Sequence, residues 1–398
     1  MVNPIKEIAM HVKLMREEMI ETRRYLHQHP ELSGKEYETS AYLKTSVRNS
    51  GLPVTDVPNS TGFYAVLDTG REGKTVALRT DIDALPITED PENLNQKRVC
   101  VSRNDGVMHA CGHDGHMAIL LAAMKILVSV RETLTGKIVF VFEEGEEIGS
   151  GIHPMIAALS SLQIDAIYGM HLTAFMPTGT INVDEGPRMA GFIDVEFDVV
   201  GRGGHGSRPD LSINPLFAVG NILTGLGTAW ANQIDISKTV TLGLTQVHAG
   251  AANNVFADSA FVGGSLRYFD NAEGIHALEV LKHVAQKTAE AHRCNVVFRE
   301  TTGVKCKPVI NDVALAKIVR SGAEKMYEGS VVEGEPWYAS ESFGFYDEIA
   351  PIVFAFIGCG NEDVGSGAVH HNNHFDIDEA SLEFGLGTML QFVFELQD

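Results

Sequence analysis

Residues 109–130 read His-Ala-Cys-Gly-His-Asp-Gly-His-Met-Ala-Ile-Leu-Leu-Ala-Ala-Met-Lys-Ile-Leu-Val-Ser-Val. The first eight positions hold one thiol, three imidazoles and one carboxylate. Thiolates and imidazoles suit borderline-soft divalent metals, and the interleaved glycines let the backbone bend tightly enough to aim several donors at one point. From 116 to 130 the chain is long and apolar enough for a buried helix. A helix apolar on most faces needs cover on every side, which only a layered fold supplies.

The flanking sequence provides the layers. Residues 63–68 and 75–81 precede this helix as short apolar strands, and 138–142 and 166–170 follow it. Ile8, Val12, Met15, Met19 and Leu26 recur at helical spacing among charges, marking an amphipathic helix over 5–27. A helix over 312–327 and a strand over 351–357 resume the pattern later. Strands alternating with helices predict an α/β fold: a mainly parallel sheet with helices on both faces. After Gly186 the character changes. Residues 193–199 alternate strictly, and strands at 239–247, 260–268 and 294–300 are interleaved with helices at 214–230 and 272–292. This strand–helix–strand–strand–helix–strand order predicts an α+β open-faced sandwich. The expectation is a catalytic domain over 1–186 and 304–398, interrupted by an inserted domain over 187–303.

Composition narrows the function. The chain has 398 residues, 44% hydrophobic and 21% charged, with a formal net charge of −21. Such an acidic balance argues against nucleic acid or an anionic membrane as partner. No signal peptide or membrane-spanning run is visible, and five scattered cysteines (100, 111, 294, 306, 359) suggest a reducing cytoplasm.

Further ligand-capable clusters follow the expected strands: Asp81 and Asp83 after the second, Glu143, Glu144, Glu146 and Glu147 after the third, and His171 after the fourth. His370, His371 and His374 follow the last strand. In a mainly parallel sheet these strand ends share one edge, where ligands of α/β proteins bind.

Taken together, Arg23–Glu31, Arg79–Pro86, the 109–116 motif, Glu146-Glu147, Gly169-Met-His171, Gly203-Gly-His205, Asn254, Arg267, Ser340-Glu341 and His371–Phe375 resemble the two-metal aminoacylase/carboxypeptidase peptidases. The chain is similar to their amidohydrolase branch, which contains hippurate hydrolase, N-acyl-amino-acid amidohydrolases and indole-acetyl-amino-acid hydrolases. The resemblance implies Cys111, His113, Glu147, His171 and His371 as ligands of two divalent ions (Zn, Mn, Co or Ni), with Glu146 as general base. It implies His205 as a donor to the developing oxyanion, in its own or a partner's active site. It implies Asn254 and Arg267 as substrate-binding residues, the inserted domain as a lid and dimerisation domain, and a homodimer or higher homo-oligomer. Asp83 and Asp114 are expected to orient ligand histidines. Where the family usually has Gln-Pro-Ala before the glutamate pair, this chain has Glu143-Glu-Gly145, which is expected to add negative charge beside the metals. The expected activity is hydrolysis of N-acyl amino acids. An amino- or dipeptidase on the same scaffold, or a non-catalytic metal-binding protein, are the alternatives.

Overall fold

The computed structural model describes residues 4–397. In chain order the elements begin α1 (Pro4–Gln28), α2 (Tyr37–Asn49), β1 (Val54–Asp56), β2 (Phe63–Asp68), β3 (Thr75–Asp81), α3 (His113–Ser129), β4 (Lys137–Glu143), α4 (Ile152–Leu159), β5 (Ala166–Pro177) and β6 (Ile181–Asn182). There follow β7 (Gly186–Met189), β8 (Gly191–Val200), β9 (Gly204–His205), α5 (Pro215–Gln233), β10 (Val240–Ala249), β11 (Val255–Phe256), β12 (Ser259–Tyr268), α6 (Asn271–Ala291), β13 (Asn295–Phe298) and β14 (Gly303–Cys306). The chain closes with β15 (Val309–Asn311), α7 (Val313–Met326), β16 (Ile352–Gly360) and α8 (Ser381–Gln397). No helix among the described residues is long and apolar enough to cross a membrane.

Two compact units result. The first comprises Met1–Arg188, Ile310–Glu335 and Phe345–Asp398; the second comprises Met189–Val309 and Pro336–Gly344. The second unit is larger than the expected insertion for two reasons. Strand β14 pairs with β8, so 303–306 belongs to the inserted sheet. The backbone N–H of Ala190 donates to the carbonyls of Trp337 and Ala339, which ties a distant segment to the same unit.

The first unit is built on a seven-stranded sheet of order β1-β2-β4-β3-β5-β16-β6. The four central strands, β4, β3, β5 and β16, are parallel, and the flanking strands are antiparallel. Helix α3 packs on β3, β4 and β5 on one side and on α1 and α8 on the other. That double cover explains why it is apolar all round: nearly every side chain from His113 to Leu127 is buried. Strand β3 connects onward to β4 on one side, while β5 connects onward to β16 on the other. Strand order therefore reverses between β3 and β5, which places a crevice at their C-terminal ends.

The second unit holds an antiparallel sheet of order β10-β12-β8-β13, with β14 also on β8. Strand β8 alternates buried and half-buried residues along its length, as its sequence pattern predicts. The buried side chains Ile193, Val195, Phe197 and Val199 form, with α5 and α6, a core separate from that of the first unit.

Candidate metal centre and active site

Several of the expected donors come together near the C-terminal ends of β3 and β5. Gly112 adopts a left-handed φ of 93° as the N-cap of α3, so Cys111 and His113 lie on either side of the turn into the helix. Cys111 Sγ lies 3.4 Å from His171 Nε2, contributed by β5. Glu147 lies in a short 3-10 turn, Glu146–Ile148, flanked by two left-handed glycines, Gly145 and Gly149. Its Oε1 is 3.2 Å from His371 Nε2 and 4.0 Å from His113 Nε2. His371 reaches this point from a left-handed backbone (φ 62°) whose N–H donates to the Ala110 carbonyl, 2.9 Å away.

Three groups of donors have their ligand atoms within 4.8 Å of one another: Cys111–His113–Glu147, Cys111–His171–His370 and Asp81–His113–His116. Cys111 is common to the first two. His113 Nε2 and Glu147 Oε1 are buried and make no hydrogen bond, although His371 Nε2 lies at ion-pair distance from Glu147 Oε1. Leaving such atoms unsatisfied costs about 1–3 kcal/mol each, and a cation between them removes that cost. Charge points the same way. Burial alone pushes the His113 imidazole down, yet Asp81, Asp83 and Glu147 outweigh it and raise the group to about 10. This excess of carboxylate is what a bound cation neutralises, so the donor set fits a divalent metal.

Asp83 organises the centre. Its side chain and carbonyl hold His113 Nδ1 at 3.2 and 3.0 Å, and its Oδ2 accepts the Glu147 N–H at 3.1 Å and the Ser33 hydroxyl at 2.7 Å. Asp114, expected in the same role, turns away from the ligand histidines. It accepts from Arg23 Nε (2.8 Å) and meets His27 Nδ1 (2.8 Å), anchoring α3 to α1. Burial raises its pKa, but Arg23 and His27 hold the group well below the usual carboxylate range. His374 points elsewhere, its Nδ1 3.0 Å from the Glu92 carbonyl.

The two extra carboxylates are held by hydrogen-bond donors. Glu143 accepts from Arg79 Nε (2.9 Å) and Tyr346 hydroxyl (2.7 Å), while Glu144 accepts from Thr61 N (2.6 Å) and the hydroxyls of Ser60 and Ser150. These buried partners explain why this chain keeps acids at those two positions.

The second unit brings His205 and Asn254 together. Val255 pairs with His205 between β11 and β9, and the Asn254 carbonyl accepts the Gly206 N–H at 2.7 Å. Arg267, on β12, lies over the Phe192 ring (4.3 Å) and donates to Ser340 Oγ at a short distance. His116 and His370 stand among the donor groups, though they were not expected as ligands.

The profile of peptidase family M20/M25/M40 matches residues 77–395. The chain is 32% identical to thermostable carboxypeptidase 2 of Saccharolobus solfataricus, over 96% of each. It is also 32% identical to N-acetyl-L-cysteine deacetylase of Bacillus subtilis, over 95% of this chain and 88% of that protein. A dinuclear metal-binding M20-family peptidase from Bacillus subtilis superposes with a TM-score of 0.82 at 29% identity, covering 97% of this chain and 99% of that one. Its length, its interrupted α/β architecture and the donors at its strand ends agree with these matches, and the chain belongs to peptidase family M20/M25/M40, whose members hydrolyse amide bonds.

Proposed function

We propose that this hydrolase cleaves the amide of N-acyl amino acids, giving a carboxylic acid and a free amino acid. The observation that carries the reading is the convergence of Cys111, His113 and Glu147, with two unsatisfied buried ligand atoms, directly beside a second carboxylate, Glu146. Cys111, His113, Glu147, His171 and His371 would hold two divalent ions, drawn from Zn, Mn, Co and Ni. When bound, such a pair polarises a carbonyl and makes water acidic enough to ionise near neutrality. Glu146 is assigned as the base: its carboxylate takes the proton of the attacking water and delivers it to the leaving nitrogen.

His205 is assigned as the donor to the developing oxyanion. Its Nδ1 accepts the Ser207 N–H (3.2 Å), so a neutral ring carries its proton on Nε2, the atom a donor needs. Arg267 pairs with no carboxylate among the described residues and is half-buried, which suits it to a substrate carboxylate. Asn254, beside His205, is assigned to the same substrate. The unit that carries these three residues is proposed as lid and dimerisation domain. A reducing, cytoplasmic location accords with five free cysteines.

The test is amine release from a panel of N-acyl amino acids by metal-loaded protein. Glu146→Gln should lower kcat by about 10²–10⁴-fold with metal content unchanged. A parent inactive on the whole panel with every metal, or an unaffected Glu146→Gln variant, would overturn the reading. The second reading is an amino- or dipeptidase on the same scaffold, which requires a free substrate amine. Faster cleavage of unacylated than of N-acylated dipeptides would select it.

A further inference from the structure

Strand β5 loses one neighbour before it ends. Strand β3 pairs with it only at Ala166–Tyr168, whereas β16 follows it through Thr173 and again at Pro177. In a strand the N–H groups of residues two apart leave on the same side. Leu172 and Ala174 are such a pair, and both N–H groups are accepted by imidazoles. Leu172 N donates to His116 Nε2 (2.9 Å) and Ala174 N to His370 Nε2 (3.1 Å). The same two rings flank His171 edge-on, with centroids 4.8 and 5.0 Å from its ring.

Accepting an N–H uses the Nε2 lone pair, and a neutral imidazole then carries its proton on Nδ1. For His116 that proton is directed at Asp81 Oδ1, 2.8 Å from Nδ1. In this tautomer neither ring has a lone pair left for a cation, although both belong to donor groups of ligand-like geometry.

We propose that His116 and His370 are positioning residues and not ligands: they take the place of the absent strand neighbour and hold the segment 171–174 so that His171 faces Cys111. This rests on the metal-centre reading above. Four variants test it: His116→Phe and His370→Phe keep bulk without an acceptor, and His116→Gln and His370→Gln return an amide oxygen. Ions bound per chain are counted by elemental analysis after dialysis against Zn or Mn, and affinity is read by chelator competition. All four should bind as many ions as the parent. The Phe variants should bind 10- to 100-fold more weakly, and the Gln variants should recover part of that loss. Loss of one ion per chain in any variant, or parental affinity in both Phe variants, overturns the proposal. If a Phe variant fails to fold, the Gln variant at that position decides: full stoichiometry supports the proposal and a missing ion overturns it. A parent that binds no divalent ion is a different failure, that of the metal-centre reading.

Discussion

Glu36 is a carboxyl buried from solvent. Its oxygens accept the N–H groups of Gly34 and Gly145 (2.9 Å each) and the Thr61 hydroxyl (2.7 Å). Burial is the larger effect and lifts its pKa from 4.5 to about 7 in spite of these bonds. The native state therefore keeps a proton that the unfolded state releases, and the contribution to stability falls as pH rises from 4.5 through 7. Its ceiling is about 3 kcal/mol. Glu36→Gln should remove this slope; urea unfolding of both proteins from pH 5 to 8 checks it, and parallel stability curves would refute it. Asp83 and Asp114 make a second contrast. Asp83→Asn, which disturbs His113 and Glu147 together, should weaken metal binding about 10- to 100-fold by chelator competition. Asp114→Asn should instead cost roughly 3 kcal/mol of stability, because buried Arg23 loses its nearest counter-charge. The sequence made the two aspartates look alike, since both stand next to ligand motifs. Only the packing of α1 on α3 separates them. The proposed ligands could be named from the sequence because their residue types and strand-end positions are local properties; the hydrogen bonds of His116 and His370 depend on where β3 stops, which is not.

Among the elements, strands β2 and β3 are readable directly from apolar runs, and β8 from alternation. Helix α8 is not: Gly385 and Gly387 interrupt its sequence and read as breakers. The structure shows what they are for. A Cβ on Gly385 would come within 2.6 Å of Ile119 Cδ1, and one on Gly387 within 2.0 Å of the Tyr327 hydroxyl. That hydroxyl is anchored on the Glu383 carbonyl (2.6 Å) and cannot retreat freely. Gly387→Ala should therefore destabilise by about 1–3 kcal/mol through overpacking, against a gain of about 1 kcal/mol in helix propensity. A raised urea midpoint would show that the site relaxes instead. In α3, a Cβ on Gly115 would meet Leu172 Cδ1 at 2.4 Å. Leu172 is the residue after His171, so Gly115→Ala should loosen metal binding as well as packing, a pairing that titration of the metal after chelation can detect.

At the scale of the whole molecule, the change from apolar runs to alternating strands after Gly186 revealed an insertion, but nothing local in 336–344 tells that this segment joins the second unit; its partners lie about 150 residues earlier, at Ala190. Strand β10 is the edge of the second sheet, and α5 leaves Leu216 and Phe217 exposed, Phe217 at 70%. An open strand edge and exposed apolar side chains each favour self-association. Sedimentation should find a dimer in the parent and a monomer in Phe217→Glu; a parent that sediments as a monomer at all concentrations would refute the proposed dimerisation. The interleaving of the two units also bears on how the protein is made. The second unit is complete once Gly344 has been synthesised, whereas β5 must wait for β16, at 352–360, to be translated before its second hydrogen-bonded neighbour exists. The domain that begins first is thus finished last, and on the ribosome the guest matures inside a host whose central sheet is still open along one edge, the stage at which a nascent chain most needs protection from aggregation.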